Sequence, residues 1–491
     1  MDFLDPAKKK ARTRRLLATY IFIAFAIAAG TLFLGLVSFG YRFNRTTGEV
    51  TRSGLLFVSA NPESAEIYLN GELHDDRTNT RIELAAGDYK VELKRDGYRP
   101  WQRDVQLAGG GIERLVYPLL FPVNLKTSDV QLYEKQPELV TQSPDRRWLV
   151  VLKPGSRSKF DVFDLSSKAT TSMSIVLPSD VLSGEKPGSL TSVEWSSDNR
   201  HVLLMHRFGN QHEYVMLDRL EPELSFNVTA LFGVSPDEVA LRDKRFDRLY
   251  LLDKTTQTLQ TADVRKREIK PLLRRVLAFK AHGDSRLLYV TPESAGPGKV
   301  NVNVADGKTK NYTVKRLNAT EDYILDMARF DGAWYVAVGS VKDSKVYVYK
   351  NPLENLNGSG GFKVIKTETV LEVADAAKLS FSVNARFLAL QNGQNFAVYD
   401  FETNRRHVYE LESALAGGEL ATWMDGHRFV GRSQGKTLVF DYDGANRQLL
   451  APLSSPQPYF DRDYTALFTV APSQDVLSRS ALLSSELVAS E

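Results

Sequence analysis

From Leu16 to Tyr41 the chain runs LLATYIFIAFAIAAGTLFLGLVSFGY without one charged residue. About 20 such residues in a helix cross a hydrocarbon core of about 30 Å, so residues 16–41 read as a transmembrane helix. A secretory signal has a shorter apolar core, about 7 to 15 residues, and then a small-x-small cleavage site. This run is longer and closes on Val37, Ser38, Phe39 and Gly40, so it reads as an uncleaved anchor. Lys8, Lys9, Lys10, Arg12, Arg14 and Arg15 precede it, whereas only Arg42 and Arg45 stand just after it. The positive-inside rule then makes residues 1–15 a basic cytoplasmic tail and puts everything after the span outside. Tyr20 and Tyr41 sit near the two ends, where amphipathic rings prefer the headgroup layer. A buried helix of a soluble protein is the competing reading, but such a helix seldom has a cationic block at one end and no polar face.

The tail also distorts the charge balance. The whole chain carries 63 Lys and Arg against 60 Asp and Glu. Without the six cations and two acids of residues 1–15, the remainder holds 57 cations against 58 acids. A net basic face for nucleic acid is not visible there, and no nucleic-acid partner is expected. The chain has no cysteine, which rules out disulfides, thiolate catalysis and Cys-ligated metal centres.

Residues 42–53 (RFNRTTGEVTRS) are short and polar and read as a linker. Strand-like segments follow at Gly54–Ser59 and Ala65–Leu69, the second ending at Asn70-Gly71, the strongest two-residue hairpin signal. A polar loop separates these from Arg81–Leu84 and Gly87–Leu93, where Ile82, Leu84, Tyr89, Val91 and Leu93 alternate with polar residues. Trp101–Leu107 and a last strand ending near Leu119 complete the set. Residues 54–120 resemble the PEGA domain, a small β-sandwich-like module of bacterial and archaeal surface proteins. Pro62-Glu63-Ser64-Ala65 stands at the turn that names the family, followed by Ile67-Tyr68-Leu69-Asn70-Gly71, Ala86-Gly87-Asp88-Tyr89-Lys90-Val91 and Asp96-Gly97-Tyr98. Ser64 replaces the usual Gly at a turn that demands positive φ. The resemblance implies an extracytoplasmic, non-catalytic spacer without ligand residues.

Beyond Pro122 short apolar runs recur between polar turns, and no amphipathic helix of 12 or more residues stands out. Ser143-Pro144-Asp145-Arg146-Arg147 leads into Trp148–Val151 and then Phe160–Leu165. Ser196-Ser197-Asp198-Asn199-Arg200 leads into His201–Leu204 and then Glu213–Asp218, and Ser382-Val383-Asn384-Ala385-Arg386 into Phe387–Leu390 and then Phe396–Asp400. Weaker copies lie at 247–253, 283–290, 332–338, 425–430 and 461–470. Self-similarity at this period points to stacked sheets, each too small to hide both faces alone. Residues 121–480 therefore read as a β-propeller of eight blades, or seven if one weak unit is spurious, followed by a C-terminal tail at 481–491. The Ser-Pro-Asp turn before an apolar strand resembles TolB-like and WD40-like repeats, although Arg146 and Asn199 stand where those repeats often have Gly.

Chemistry-bearing motifs are few. Gly431-Arg432-Ser433-Gln434-Gly435 satisfies G-x-S-x-G, but a nucleophile elbow needs a following helix, and both flanks here read as strands. His74, His201, His206, His212, His282, His407 and His427 form no compact ligand set; the nearest three are expected on a hairpin, exposed or on an edge strand. Asp441-Tyr442-Asp443-Gly444-Ala445-Asn446 matches the start of a calcium loop, yet Pro452 occupies the position of the closing Glu, so a hairpin is expected and a loose calcium site stays open. Asp461 and Asp463 read as a turn. Asn357-Gly358-Ser359-Gly360-Gly361 lacks the Lys-Ser/Thr ending of a phosphate loop. No catalytic, cofactor or metal residue is assigned. The expected role is a single-pass membrane protein whose outer part binds a protein, peptide or cell-envelope glycan, with a hydrolase or lyase using carboxylates at the propeller mouth as the rival.

Overall fold

The computed structural model describes residues 6–38, 41–43, 50–166, 170–184, 188–283, 286–305, 311–356, 365–412, 415–476 and 478–488. Asn357–Gly361 lies outside these. A helix spans Pro6–Ser38, and within it Arg12–Gly35 has a mean hydropathy of 2.2 with none of its apolar window buried. At 1.5 Å per residue that stretch is about 36 Å long, enough to cross a membrane. Thr19 and Thr31 hide their hydroxyls by donating to the carbonyls of Arg15 and Ile27, each at 2.9 Å, so even the polar residues present an apolar surface. The helix is shorter at its C-terminal side than the uncharged run: Tyr41 already belongs to a strand, Tyr41–Phe43.

That strand also corrects the linker. Tyr41–Phe43 pairs with Val50–Val58, which therefore begins inside the expected linker rather than after it. Val50–Val58 further pairs antiparallel with Thr80–Ala85 and parallel with Ile112–Leu115. A second four-stranded sheet runs Glu72–Arg77, Glu66–Leu69, Gly87–Lys94 and Trp101–Leu107. Glu72–Arg77 is a strand where the sequence pattern reads as a polar loop; its side chains are almost all exposed, so it carries no apolar alternation to reveal it. The two sheets share one core, in which Leu56 and Val58 of the first meet Ile67, Val91, Leu93 and Trp101 of the second. Ser64 holds the left-handed conformation (φ 63°) that its turn requires.

In a separate unit, Leu125–Leu487, the described residues form eight four-stranded antiparallel sheets laid down in sequence order. In the first seven the strands follow one another along the chain. The eighth joins Tyr459–Phe460, Ala466–Pro472 and Ser480–Glu486 to Thr127–Tyr133 from the start of the unit. The stretch expected as a tail is thus strand up to Glu486, because the main chain of Thr127–Tyr133 supplies its partner. All eight turn-plus-strand units anticipated from the sequence supply the second strand of a sheet, from Trp148–Leu152 in the first to Ala466–Pro472 in the eighth.

Burial explains the pattern. Second strands, and most third strands, are buried on both faces, as in Phe387–Asn392 and Asn395–Asp400, so they read as unbroken apolar runs. Fourth strands such as Arg405–Glu410 are mostly exposed. Successive sheets pack face to face through apolar clusters, from Phe160, Val162, Leu204 and Val215 between the first and second to Tyr335, Val348, Leu388 and Tyr399 between the fifth and sixth. Leu149, Val151 and Phe163 of the first sheet share a cluster with Phe468, Val470 and Leu482 of the eighth.

Candidate functional site

The first strand of each sheet is an edge, with backbone groups that no further strand pairs. First strands of the second and third sheets approach one another, as do those of the fourth, fifth and sixth, and Lys280 of the fourth acts on Glu238 of the third, so these edges line a common wall. Side chains from neighbouring sheets cap much of it. Glu194 accepts from the Leu241 N–H at 2.7 Å, and Asp326 from the Phe381 N–H at 3.3 Å. In the other direction, the Trp423 indole donates to the Ser380 carbonyl (3.2 Å), Lys378 to that of Ala421 (3.0 Å) and Gln142 to that of Phe460 (2.7 Å). Gln391, fully buried, holds both the N–H and the carbonyl of Ala421.

Between the third and sixth sheets this wall alternates in charge: Glu238, Lys280, Asp326 and Lys378, one from each first strand. Lys280 lies 3.6 Å from Asp326. Burial pushes the Glu238 carboxyl up against the opposing pull of Lys254 and Lys280, and burial pushes the Lys378 ammonium down. Among the described residues the Glu238 carboxyl has no hydrogen bond and no ion pair, which makes it the one acid on this wall not committed to the fold. Nothing in its sequence context, Pro236-Asp237-Glu238-Val239, sets it apart; the register of the strand does.

The polar repeat residues serve the fold. Arg147, Arg200 and Arg386, each just before a second strand, grip Asp164, Asp218 and Asp400 at the end of the third strand, at 2.7, 2.5 and 2.7 Å. The same carboxylates accept the N–H groups of the loops that follow, from Ser166, from Leu220 and Glu221, and from Glu402. In the turns ahead of them Arg146, Asn199 and Ala385 have φ of 61°, 55° and 58°, the left-handed conformation that glycine adopts without steric cost. Arg146 is held there by its guanidinium, which donates to the Met424 carbonyl and lies 4.4 Å from the Tyr464 ring centre.

Other sequence motifs resolve similarly. Ser433 ends the strand Arg428–Ser433, fully buried, and Gln434-Gly435 turn directly into Lys436–Asp441; the G-x-S-x-G segment is a strand and hairpin, not an elbow. Asp441 accepts from the Asn446 amide at 2.8 Å and Arg428 approaches it at 3.8 Å. Asp461 accepts from the Ala466 N–H and the Thr465 hydroxyl within its own turn, while Asp463 is exposed. His201, His206 and His212 do share a hairpin, but the expectation of exposed or edge positions fails for two of them. His201 and His206 are 7% and 0% exposed, because Val202–Met205 between them forms a second strand covered on both faces. His206 bonds Glu213 (2.8 Å), whose other oxygen takes the Asn227 amide (2.7 Å). His201 bonds Asp198 and stacks on Phe246, and His212 bonds the Pro236 carbonyl. Among the described residues no three His, Asp or Glu are placed to hold a metal ion.

Comparison with known proteins agrees with the first unit in detail. Residues 53–115 match the family model of the PEGA domain. A search of the curated proteins returns no match. Among solved structures the chain is similar to β-propellers. The Cps50 (Swd1) propeller domain of Myceliophteria thermophila is 11% identical, with 65% of this chain and 97% of that one covered at a TM-score of 0.39. The Dos1 propeller is 14% identical over 74% and 95% of the two chains, TM-score 0.44. The dihydro-heme d1 dehydrogenase NirN is 13% identical over 66% and 67%, TM-score 0.41.

Proposed function

We propose that this chain is a single-pass membrane-anchored interaction scaffold. Residues 1–15 lie in the cytoplasm, the apolar helix spans the bilayer, the PEGA module acts as a spacer, and the eight sheets form a closed eight-bladed propeller displayed outside the cell. The carrying observation is the apolar helix, uncovered along its apolar window and long enough to span, with its cations at one end.

Binding rather than catalysis is supported by the fate of the inner polar groups. Glu194, Asp326 and Lys378 each hold the backbone of the next sheet and Trp423 that of the preceding one, which rigidifies the wall and leaves its open ends as a fixed rim. A preorganised rim loses little entropy on docking a protein partner. A protein is the first expected partner, and an envelope glycan the second.

The test is protease treatment of intact cells carrying tags at both termini, with crosslinking from the same cells. Loss of the C-terminal tag with retention of the N-terminal one, and a crosslinked protein that requires the propeller, are the expected results. A C-terminal tag protected until the cells are lysed refutes the topology.

A further inference from the structure

A cavity of about 480 Å³ opens on the flank of the propeller-like unit, away from the wall of first strands. It lies between the outer strand of the fourth sheet, Asn311–Asn318, the third strand of the fifth, Lys345–Lys350, and residues 365–367. Its volume falls in the range of small-molecule sites, about 300 to 1,000 Å³. Three cations, Lys315, Arg316 and Lys366, line it, and among the described residues no acid does.

Among the described residues, neither Lys315 nor Lys366 has an ion-pair partner. The Lys315 ammonium instead lies 3.7 Å from the centre of the Tyr347 ring, a cation–π contact that holds it at the cavity wall without neutralising it. Burial lowers its affinity for the proton, the expected response of a desolvated ammonium with no carboxylate beside it. Arg316 is positioned by donation to Asn301 at 3.2 Å. Thr367 is the uncharged polar residue of the lining, and Val314, Ile365 and the almost fully buried Tyr349 supply apolar surface.

We propose that this cavity binds a small ring-bearing organic anion, with its carboxylate on the lysines, its hydroxyl groups toward Thr367, and its ring face on the apolar wall. An acidic monosaccharide unit has this chemistry. The site is separate from the partner-binding role proposed above and stands or falls without it.

The test is isothermal titration of the full chain in detergent micelles with glucuronate, with neutral glucose and with inorganic sulfate. Saturable glucuronate binding at least tenfold tighter than either comparison is expected. Lys366→Ala, at an exposed position that leaves the fold intact, and Lys315→Gln are each expected to weaken it at least tenfold, with unchanged thermal melting of the Lys366→Ala protein. Absence of saturable glucuronate binding, sulfate binding as tight as glucuronate, or unaltered affinity in Lys366→Ala overturns the proposal.

Discussion

Closure of the eighth sheet by Thr127–Tyr133 is the contact on which the unit Leu125–Leu487 depends, and the chain lends itself to a direct test. Thr127 and Ser485 are register partners whose hydroxyl oxygens lie 2.8 Å apart, although 358 positions separate them in sequence. That spacing puts their β-carbons close to the separation a disulfide needs. The chain contains no cysteine of its own, so T127C/S485C introduces the sole pair of thiols. In the chain-entropy treatment, joining residues this far apart removes loop entropy from the unfolded state equivalent to about 6 kcal/mol at 25 °C, an upper bound that strain reduces. The assay has two parts: intact mass with non-reducing electrophoresis after mild oxidation, and urea unfolding of oxidised and reduced protein. Complete intramolecular crosslinking and a higher unfolding midpoint for the oxidised form are expected. Both thiols reacting freely with maleimide while refusing to crosslink would refute the pairing and with it the closed arrangement.

Three further outcomes follow from residues described above. Ala385 sits at φ 58° with no side chain to hold it there, so Ala385→Gly trades a left-handed strain of about 1 to 2 kcal/mol for a glycine entropy cost of about 0.5 to 1. It is expected to stabilise by about 0.5 to 1 kcal/mol in urea denaturation, and destabilisation counts against the turn. Glu213→Ala strands His206, the Ser183 N–H and Asn227 in a buried site and is expected to cost about 3 to 5 kcal/mol by the same measurement; a cost under 1 would contradict the network. Burial pushes His427 down to about 4, with Asp425 opposing and Arg386 and Arg428 assisting. The unfolded chain, near 6.5, then takes up the proton first, so His427 leaves stability intact above pH 6.5 and removes up to about 3 kcal/mol as pH falls to 4. Unfolding midpoints of His427→Gln should fall less between pH 7 and 4.5 than those of the parent; parallel falls would exclude the effect.

What the residues reveal on their own depends on what surrounds them. Second strands are buried on both faces, so Trp148–Leu152 and Phe387–Asn392 stand out as apolar runs after polar turns, and all eight are visible in the sequence. Fourth strands alternate weakly or not at all: Thr171–Val176 is exposed except at Ile175, and nothing local marks it. Ser480–Glu486 resembles a trailing end because its partner lies at the far end of the unit, and a pairing so distant leaves no trace in nearby residues. Glu72–Arg77 is missed for the opposite reason, since an exposed outer strand has no buried face to impose a pattern. The inner wall is the least legible part. Glu194, Asp326 and Lys378 look like ordinary surface charges until the neighbouring sheet places an unpaired N–H or carbonyl in front of each. The flanking cavity is equally silent, because Lys315 and Lys366 come from segments that only the stacking of two sheets brings together.

The strand Thr127–Tyr133 also imposes a delay on the birth of the molecule. It leaves the ribosome first of its unit, yet its mate Ser480–Glu486 is made roughly 350 residues later, which at about 5 to 20 residues per second is about 20 to 70 s. Throughout that interval a bare edge waits beside the growing chain at the ribosome, open to pairing with any extended segment that passes. A factor that shields nascent edges there would protect this chain, and a ribosome stalled short of Ser480 would release a product with that edge still open.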